Sequence, residues 1–453
     1  MTLDQATLQA IPSSEDVTIR SERRKVVIGV GVGNALEWYD WTAYSIFAAY
    51  FARQFFRSDD PLADLLGIFA IFAAGFFMRP LGGVFFGWFA DRRGRRPAMT
   101  FSMLVTAGGS LLIGVSPTYD HIGAAAAAFL LLGRLLQGFG HGGEVVSSFT
   151  YVTEMAPANK RGAWASSVFV FVTVGVMTAT LLGAGLTSGF GVNAIKEWAW
   201  RIPFVIGGAL GIYALVLRRR LDETPMFRAR AAAQEARRRI GLTARPIWPD
   251  VWKYRQACMR VFAFSAAGTV LYYVWAVMAT TFAVGPLRMA PGPVMWVGVA
   301  ANAFFIACLI FWGRISDRYG RKLNWYVFSV GSMLAIIPLS LVFTGGHGEI
   351  WRLAVFMGVG MLLISAPTAI MPAFFPEQFP THIRAVAMGL PYSIAGALTG
   401  GTAPYLQAWL YSLKQPRLFD TYLIILCALV LIATVASPET NGKILDDETT
   451  GDR

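Results

Sequence analysis

Residues 87–96 read GWFADRRGRR, and residues 313–322 read GRISDRYGRK. The two stretches share glycine, aspartate, arginine, glycine and arginine at one spacing, and they lie 226 residues apart in a chain of 453. A second signature, a glutamate, proline and arginine after a long apolar run, repeats with a shift of 223 residues. Its members are Glu154, Pro157 and Arg161, then Glu377, Pro380 and Arg384. Two signatures repeated at half the chain length indicate a duplicated unit.

The composition is that of a membrane protein. Hydrophobic residues make up 55% of the chain and charged residues 15%, whereas soluble domains carry about a quarter charged residues. The net charge of +12 does not indicate nucleic-acid binding, because the basic residues fall in short turns between apolar runs and not along one face of a soluble domain.

The chain contains twelve runs of the length that a transmembrane helix needs, about 18 residues or more. We therefore predict an all-α integral membrane protein with twelve transmembrane helices in two pseudo-symmetric six-helix bundles. The predicted spans are 26–53, 64–90, 98–117, 122–150, 162–188, 199–217, 257–285, 292–315, 323–344, 351–375, 384–411 and 418–436. The predicted domains are an N-terminal tail (1–25), a first bundle (26–217), an interdomain loop (218–256), a second bundle (257–436) and a C-terminal tail (437–453).

The distribution of Lys and Arg predicts the orientation. With the N-terminus inside, the inner turns and both tails hold 29 of the 39 Lys and Arg residues, so both termini are expected to be cytoplasmic. The first apolar run is too long for a signal-peptide core and should remain as the first span. The stretch 228–239 in the interdomain loop is either a basic surface helix or a solvated linker.

Several classes of chemistry lack their sequence signatures. No GxxxxGK[ST] loop is present, so transport driven by ATP is not expected, and an ion gradient or the substrate's own gradient is the expected energy source. The three cysteines are far apart and form no metal-ligand spacing, so we expect no metal and no cofactor. No nucleophile with a base and an orienting group indicates an enzyme, and no large output domain indicates a receptor.

Charged residues inside the spans are the main candidates for function, because a charge at the centre of a membrane helix costs about 3 kcal/mol or more. Glu37 and Asp40 lie three apart in the first span, and Arg79 lies twelve residues before Asp91, about 18 Å along a helix. In the fourth span, one helical stripe carries Arg134, Gln137, His141 and Glu144.

These charges have two interpretations. They are either ion pairs that hold the first bundle together, or groups that bind substrate and protons. The second bundle has almost no internal charge and offers polar and aromatic residues instead, among them Tyr272, Tyr273, Asn302 and Tyr392. Packing alone should require ion pairs in both halves, so the asymmetry favours transport of a small organic anion coupled to protons.

The repeated turn resembles the loop signature of the major facilitator superfamily. The resemblance implies two bundles that rock about a midplane site, with the loop charges closing the cytoplasmic side. It assigns gating to the two copies and to the second signature: Gly87, Asp91, Arg92, Gly94, Arg95, Asp317, Arg318 and Arg321, with Glu154, Arg161, Glu377 and Arg384.

Within that superfamily the chain resembles the metabolite:proton symporter family, through GNALEWYDW (33–41), MRPLGG (78–83), WRIPF (200–204) and RRLDETPMF (219–227). Its members carry carboxylates such as α-ketoglutarate, citrate and shikimate, or zwitterions such as proline and betaine. The resemblance is greatest to the α-ketoglutarate carriers. It implies proton symport of a small carboxylate across the bacterial cytoplasmic membrane. Because one chain contains both halves, we expect a functional monomer. The alternative is uptake of a zwitterionic osmolyte.

The family resemblance also suggests that Arg79 and Arg201 serve substrate carboxylates, although Arg201 beside Trp198 and Trp200 is also typical of an interfacial anchor. The chain departs from the family at His141, where many relatives have a small residue. The predicted substrate-binding residues are Arg79, Arg201, Tyr272, Tyr273, Asn302 and Tyr392. The predicted proton-coupling residues are Glu37, Asp40, Arg134, His141 and Glu144.

Overall fold

The computed structural model describes residues 14–57, 61–218, 223, 227–228, 232, 247–284, 287–346 and 348–445, and in them the secondary structure is helical. The helices of the N-terminal half are α1 (Ser14–Phe55), α2 (Pro61–Arg93), α3 (Arg95–Gly114), α4 (Ala125–Met155), α5 (Arg161–Ala194) and α6 (Arg201–Arg218). A short helix, Tyr119–Ile122, precedes α4, and a π-helical turn, Ile195–Ala199, joins α5 to α6.

The C-terminal half repeats this order after a short helix, Ile247–Lys253. Its α7 consists of Arg255–Tyr272, a π-helical turn Tyr273–Met278, and Ala279–Val284. The next helices are α8 (Pro291–Tyr319), α9 (Arg321–Thr344) and α10 (Ile350–Glu377). Helix α11 consists of Arg384–Ala395, a π-helical turn Gly396–Gly400 and Ala403–Ser412, and α12 is Pro416–Ala436.

Nine helical stretches of the described residues are long and apolar enough to cross a membrane. Helices α1 and α4 are outside that set, and both carry internal charged residues. Helix α11 is divided by its π-helical turn, where the sequence predicted one continuous span. Helix α1 begins at Ser14, twelve residues before the predicted span, because the glutamate, arginine and lysine residues of this stretch have high helix propensity. The stretch 228–239 lies almost wholly outside the described residues.

Helices α2 and α4 pack with their backbones in contact. A Cβ atom added to Gly138 of α4 would overlap the carbonyl of Gly75 on α2, and one added to Gly142 would overlap the carbonyl of Arg79. Close approach of this kind needs residues without a side chain at the crossing. The packing brings Arg79 and His141 to the wall of one cavity.

The two halves meet at the end of the bundle that carries residues 87–96 and 313–322, here called the motif end. Gly87 of α2 packs against Val386 of α11, and Gly313 of α8 packs against Gly162 of α5. Each repeated stretch therefore begins with a glycine that contacts the opposite half. This arrangement closes the motif end of the interface.

Candidate functional site: a central cavity and a charge network

A central cavity of about 40 Å³ lies between the halves, which is room for a few water molecules. Its wall includes Trp38, Arg79 and His141 from the N-terminal half. Tyr272, Tyr273 and Tyr392 line it from the C-terminal half. The halves also touch beside the cavity, where the rings of Trp38 and Tyr272 are 5.6 Å apart. One wall is therefore charged and the other is aromatic.

Arg79 is a buried cation whose side chain is held by aromatic rings. Its Cζ lies 4.1 Å from the ring centroid of Trp41 and 3.8 Å from that of Phe76, and its side chain reaches Tyr273 for a hydrogen bond. Among the described residues no carboxylate forms an ion pair with it, and its Nε has no hydrogen-bond partner. The cavity therefore presents a positive charge that the surrounding residues do not neutralise.

Behind Arg79, a chain of hydrogen bonds joins Arg134 to Asp40. Nη1 of Arg134 donates to Oε1 of Gln137 over 2.7 Å, and Nε2 of Gln137 donates to Oγ of Ser110 over 2.8 Å. Ser110 then donates to Oδ2 of Asp40. Arg134 also lies over Trp41, with its Cζ 3.9 Å from the ring centroid. Trp41 thus contacts both Arg79 and Arg134.

A second, smaller cavity lies inside the N-terminal half. It has a volume of about 10 Å³, the space of about one water molecule, and it is lined by the carboxylates of Glu37, Asp40 and Glu144. All three side chains are buried. We call it the carboxylate pocket. Oε1 of Glu37 meets Nδ1 of His141, so this pocket borders a residue of the central cavity.

At the motif end, Glu154 of α4 pairs with arginines of both halves. Its Oε1 lies 3.3 Å from Nη2 of Arg95 and 2.9 Å from Nη1 of Arg384. Arg95 also pairs with Asp91 at 2.5 Å and donates to the carbonyl of Thr381, in the other half, at 3.1 Å. These side chains are almost fully buried, so the network is shielded from solvent.

The second copy repeats the network with the halves exchanged. Glu377 of α10 lies 3.4 Å from Arg321 of its own half and 3.7 Å from Arg161 of the other half. Asp317 pairs with Arg321 at 2.9 Å, and its carboxylate accepts the backbone N–H groups of residues 162 and 163 at 2.7 and 2.8 Å. The duplicated signatures therefore place two equivalent ion-pair clusters across one interface.

Each repeated turn is also capped by a glutamate from beyond the last helix of its half. Glu223 accepts the backbone N–H groups at the start of α3 over 3.0 and 3.2 Å. Glu439 does the same for α9 over 2.9 and 3.1 Å. Partial desolvation raises the pKa of Glu439, but hydrogen bonds from four backbone N–H groups lower it by more. The net effect is a pKa below the ordinary value. Helix N-termini favour such anions.

Gly94 and Gly320, the glycines just before α3 and α9, are required by conformation and by space. Their φ angles are +110° and +97°, a region that residues with a side chain rarely adopt. A Cβ at either position would also overlap the capping glutamate, Glu223 or Glu439. The repeated glycine thus permits the cap.

We expect Gly94→Ala and Gly320→Ala each to destabilise the protein by about 1–3 kcal/mol, because the backbone is strained and the cap is displaced. Thermal unfolding of the purified protein in detergent, followed by tryptophan fluorescence, measures this as a lower midpoint. Gly108→Ala is the matched control, because its Cβ would meet nothing within 4 Å. Equal midpoints for all three variants would contradict the role assigned to these glycines.

Other predicted residues lie away from the cavity in this arrangement. Nη2 of Arg201 donates to the carbonyl of Ser116 at 3.0 Å, and its Cζ lies 4.3 Å from the ring centroid of Trp200. Asn302 donates to the carbonyl of Gly298 within its own helix at 2.9 Å. Arg92 and Arg318 are exposed and lie over their neighbouring rings, Trp88 and Tyr319, at 4.8 and 5.2 Å.

Several residues of the site were not predicted from the sequence. The sequence does contain a signal that could have identified Trp41, because this residue lies four positions after Glu37 and so on the same helical face. The capping residues Glu223 and Glu439 also share a sequence signal, because each is followed by a threonine and lies after the last span of its half. Ser110 has no such signal, since a lone serine in an apolar run is typical of many membrane helices.

The two halves, the cavity between them and the paired charge clusters define a multi-pass membrane protein of the secondary-transporter class. Residues 30–404 match the Major Facilitator Superfamily, and the chain belongs to that family. It is 33% identical to the alpha-ketoglutarate permease of Escherichia coli K12 over 429 residues, covering 94% of this chain and 96% of the relative. It is 30% identical to the proline/betaine transporter of the same organism over 448 residues, covering 96% and 87%.

The fold has been seen in solved structures. A structure of the proton:xylose symporter XylE bound to 6-bromo-6-deoxy-D-glucose matches with a TM-score of 0.75 and 16% identity, covering 94% of this chain and 98% of that one. At this identity the match concerns the fold. It agrees with the twelve-helix, two-bundle architecture expected from the sequence.

Proposed function

We propose that the protein is a proton-coupled symporter that imports a small organic anion, α-ketoglutarate or a similar carboxylate, by alternating access. The observation that carries this proposal is Arg79, a buried guanidinium at the cavity without an ion-pair partner among the described residues. A buried charge is costly unless it is compensated, and a carboxylate fits the planar fork of arginine. The similarity to the alpha-ketoglutarate permease supports the same substrate class.

The proton in this proposal binds within the N-terminal half, among Glu37, Asp40, His141 and Glu144. Asp40 is joined through Ser110 and Gln137 to Arg134, and Arg134 shares Trp41 with Arg79. Protonation of Asp40 therefore changes a hydrogen-bond chain that ends beside the substrate. This gives the proton and the substrate a physical route for coupling.

Alternating access in this proposal uses the motif end as the cytoplasmic gate. The central cavity, at about 40 Å³, holds a few waters and not a dicarboxylate, so the halves must separate for substrate to enter. We place the motif end and both termini in the cytoplasm, because positive turns favour that side. One chain contains both halves, so a monomer suffices, and no cofactor or nucleic acid is required.

A zwitterion such as betaine or proline is the second candidate substrate. Arg79 would bind its carboxylate, and the aromatic wall formed by Tyr272, Tyr273 and Tyr392, with Trp38 opposite it, is suited to a quaternary ammonium group. The similarity to the proline/betaine transporter supports this candidate. Both candidate substrates have a carboxylate for Arg79. They differ in the second charged group, which is another carboxylate in α-ketoglutarate and a cationic nitrogen in betaine or proline.

Uptake into proteoliposomes tests the proposal. We expect labelled α-ketoglutarate to accumulate under an imposed inward proton gradient, and accumulation to disappear when an uncoupler collapses that gradient. Unlabelled succinate should compete, whereas betaine and proline should not. Accumulation of labelled betaine or proline instead would replace the anion by the zwitterion. Absence of gradient-dependent uptake for all of these would contradict proton symport.

A further inference from the structure

His141 lies at the boundary between the central cavity and the carboxylate pocket. It lines the central cavity together with Arg79 and Trp38, while Glu37, which meets its Nδ1, lines the carboxylate pocket. Both side chains are buried, with 1% and 2% of their surface exposed. The two residues therefore separate the cavities, with the imidazole of His141 at the central cavity and the carboxylate of Glu37 at the carboxylate pocket.

The imidazole ring is held in place by its neighbours. The ring centroids of Trp38 and Trp41 lie 6.0 and 5.6 Å from that of His141, and both meet it edge to face. The adjacent Gly142 packs on the backbone of Arg79. This contact fixes the position of His141 relative to α2. Nε2 of His141 has no hydrogen-bond partner among the described residues. One ring nitrogen thus meets a carboxylate while the other has unused hydrogen-bonding capacity.

We propose that His141 transfers protons between the central cavity and the carboxylate pocket, an inference that rests on the proton symport proposed above. A proton from cavity water binds Nε2, and the proton on Nδ1 passes to Oε1 of Glu37. The N–H bond at Nδ1 breaks as the O–H bond forms, so the carboxylate becomes a carboxylic acid and the imidazole is again neutral. The ring is then protonated at Nε2. When the halves separate and water reaches the ring, loss of the Nε2 proton to water and uptake of a proton from water at Nδ1 restore the first tautomer with no net change in protons.

The charged and titratable groups around His141 link this transfer to the substrate. Glu37 of α1 favours a proton on the imidazole, and Arg79 of α2 opposes one. Glu144 lies one turn along α4 in the carboxylate pocket, and Tyr272 and Tyr392 of the opposite half line the central cavity. A carboxylate bound to Arg79 offsets the opposing charge. The substrate therefore promotes proton entry, and by reciprocity the proton promotes substrate binding, which couples the two.

His141→Gln tests this role by separating exchange from accumulation. In proteoliposomes loaded with α-ketoglutarate, counterflow of the labelled compound at equal pH needs no net proton transfer, so we expect it to stay near the rate of the unaltered protein. Accumulation driven by a proton gradient should fall at least about tenfold, as for loss of other proton-transferring groups. Glu37→Gln should give the same separation. His121→Gln, at an exposed histidine, is the matched control and should change neither rate.

Two results would overturn the inference and leave the proposed symport intact. One is unchanged gradient-driven accumulation in His141→Gln, and the other is equal loss of counterflow and accumulation in a variant that unfolds at the normal temperature. If His141→Gln does not fold, His141→Asn and Glu37→Gln carry the same test. Absence of gradient-driven uptake in the unaltered protein would instead overturn the symport proposal and this inference together.

Discussion

Arg79→Ala is expected to weaken binding of α-ketoglutarate by about two orders of magnitude, which corresponds to about 3 kcal/mol. The reason is that a carboxylate in the central cavity loses the buried cation that faces it. Arg79→Lys keeps the charge but not the planar fork, so it should recover only part of the affinity. Isothermal titration calorimetry of the detergent-solubilised protein measures the change.

Arg201→Ala is the matched control for this prediction. Arg201 is also an arginine in a membrane helix, but here it donates to the backbone carbonyl of Ser116, two residues after α3 ends, and it is not among the residues that line the cavity. Affinity should therefore change little. Loss of affinity in Arg201→Ala with none in Arg79→Ala would reverse the assignment and would place the substrate at the other arginine.

Glu154→Gln is expected to open the motif end. The change removes the carboxylate that Arg95 and Arg384 share, and both arginines are almost fully buried. Arg95 keeps its pair with Asp91, so the loss falls mainly on Arg384, and breaking a buried ion pair costs about 3–5 kcal/mol. That cost falls on the closed arrangement, so the open one should become more populated. A cysteine at Val386, which is buried at the interface, should then react faster with a thiol reagent added to the cytoplasmic side.

The control for the gate is Glu349→Gln. Glu349 pairs with Arg352 at 2.8 Å, but both side chains are partly exposed, and such pairs contribute about 0–1 kcal/mol. Labelling at position 386 should be the same as in the protein with Glu349 intact. Both variants are made in a protein whose three native cysteines have been replaced. If labelling at position 386 does not rise in Glu154→Gln, the ion pairs do not hold the gate closed.

The sequence predicted the fold because the repeat and the apolar runs are direct consequences of membrane insertion. Helices in lipid must satisfy their own backbone, so long apolar runs leave little choice of structure. The interruption of α11 at Gly396–Gly400 was not predictable in this way. A π-helical turn changes the hydrogen-bond pattern without changing the apolar character of the run.

The candidate site was predictable in part. The internal charges were found because each is an exception within an apolar run, and Arg79 and His141 do lie at the cavity. Their partners were not found, since the bond from Ser110 to Asp40 joins residues 70 positions apart. The contact that directs Arg201 to the carbonyl of Ser116, 85 positions away, also depends on tertiary geometry that no spacing in the sequence encodes. The gating, coupling and binding roles themselves remain predictions.

The sharing of each gate glutamate between two arginines has a consequence for turnover. In the proposed cycle we expect Glu154 to lose Arg384 but keep Arg95 when the halves part, and Glu377 to lose Arg161 but keep Arg321. Each carboxylate would then keep one ion-pair partner, and we expect Arg384 and Arg161 to become exposed to water. We therefore expect the motif end to open and close reversibly in the proposed transport cycle, because each glutamate keeps one ion pair throughout.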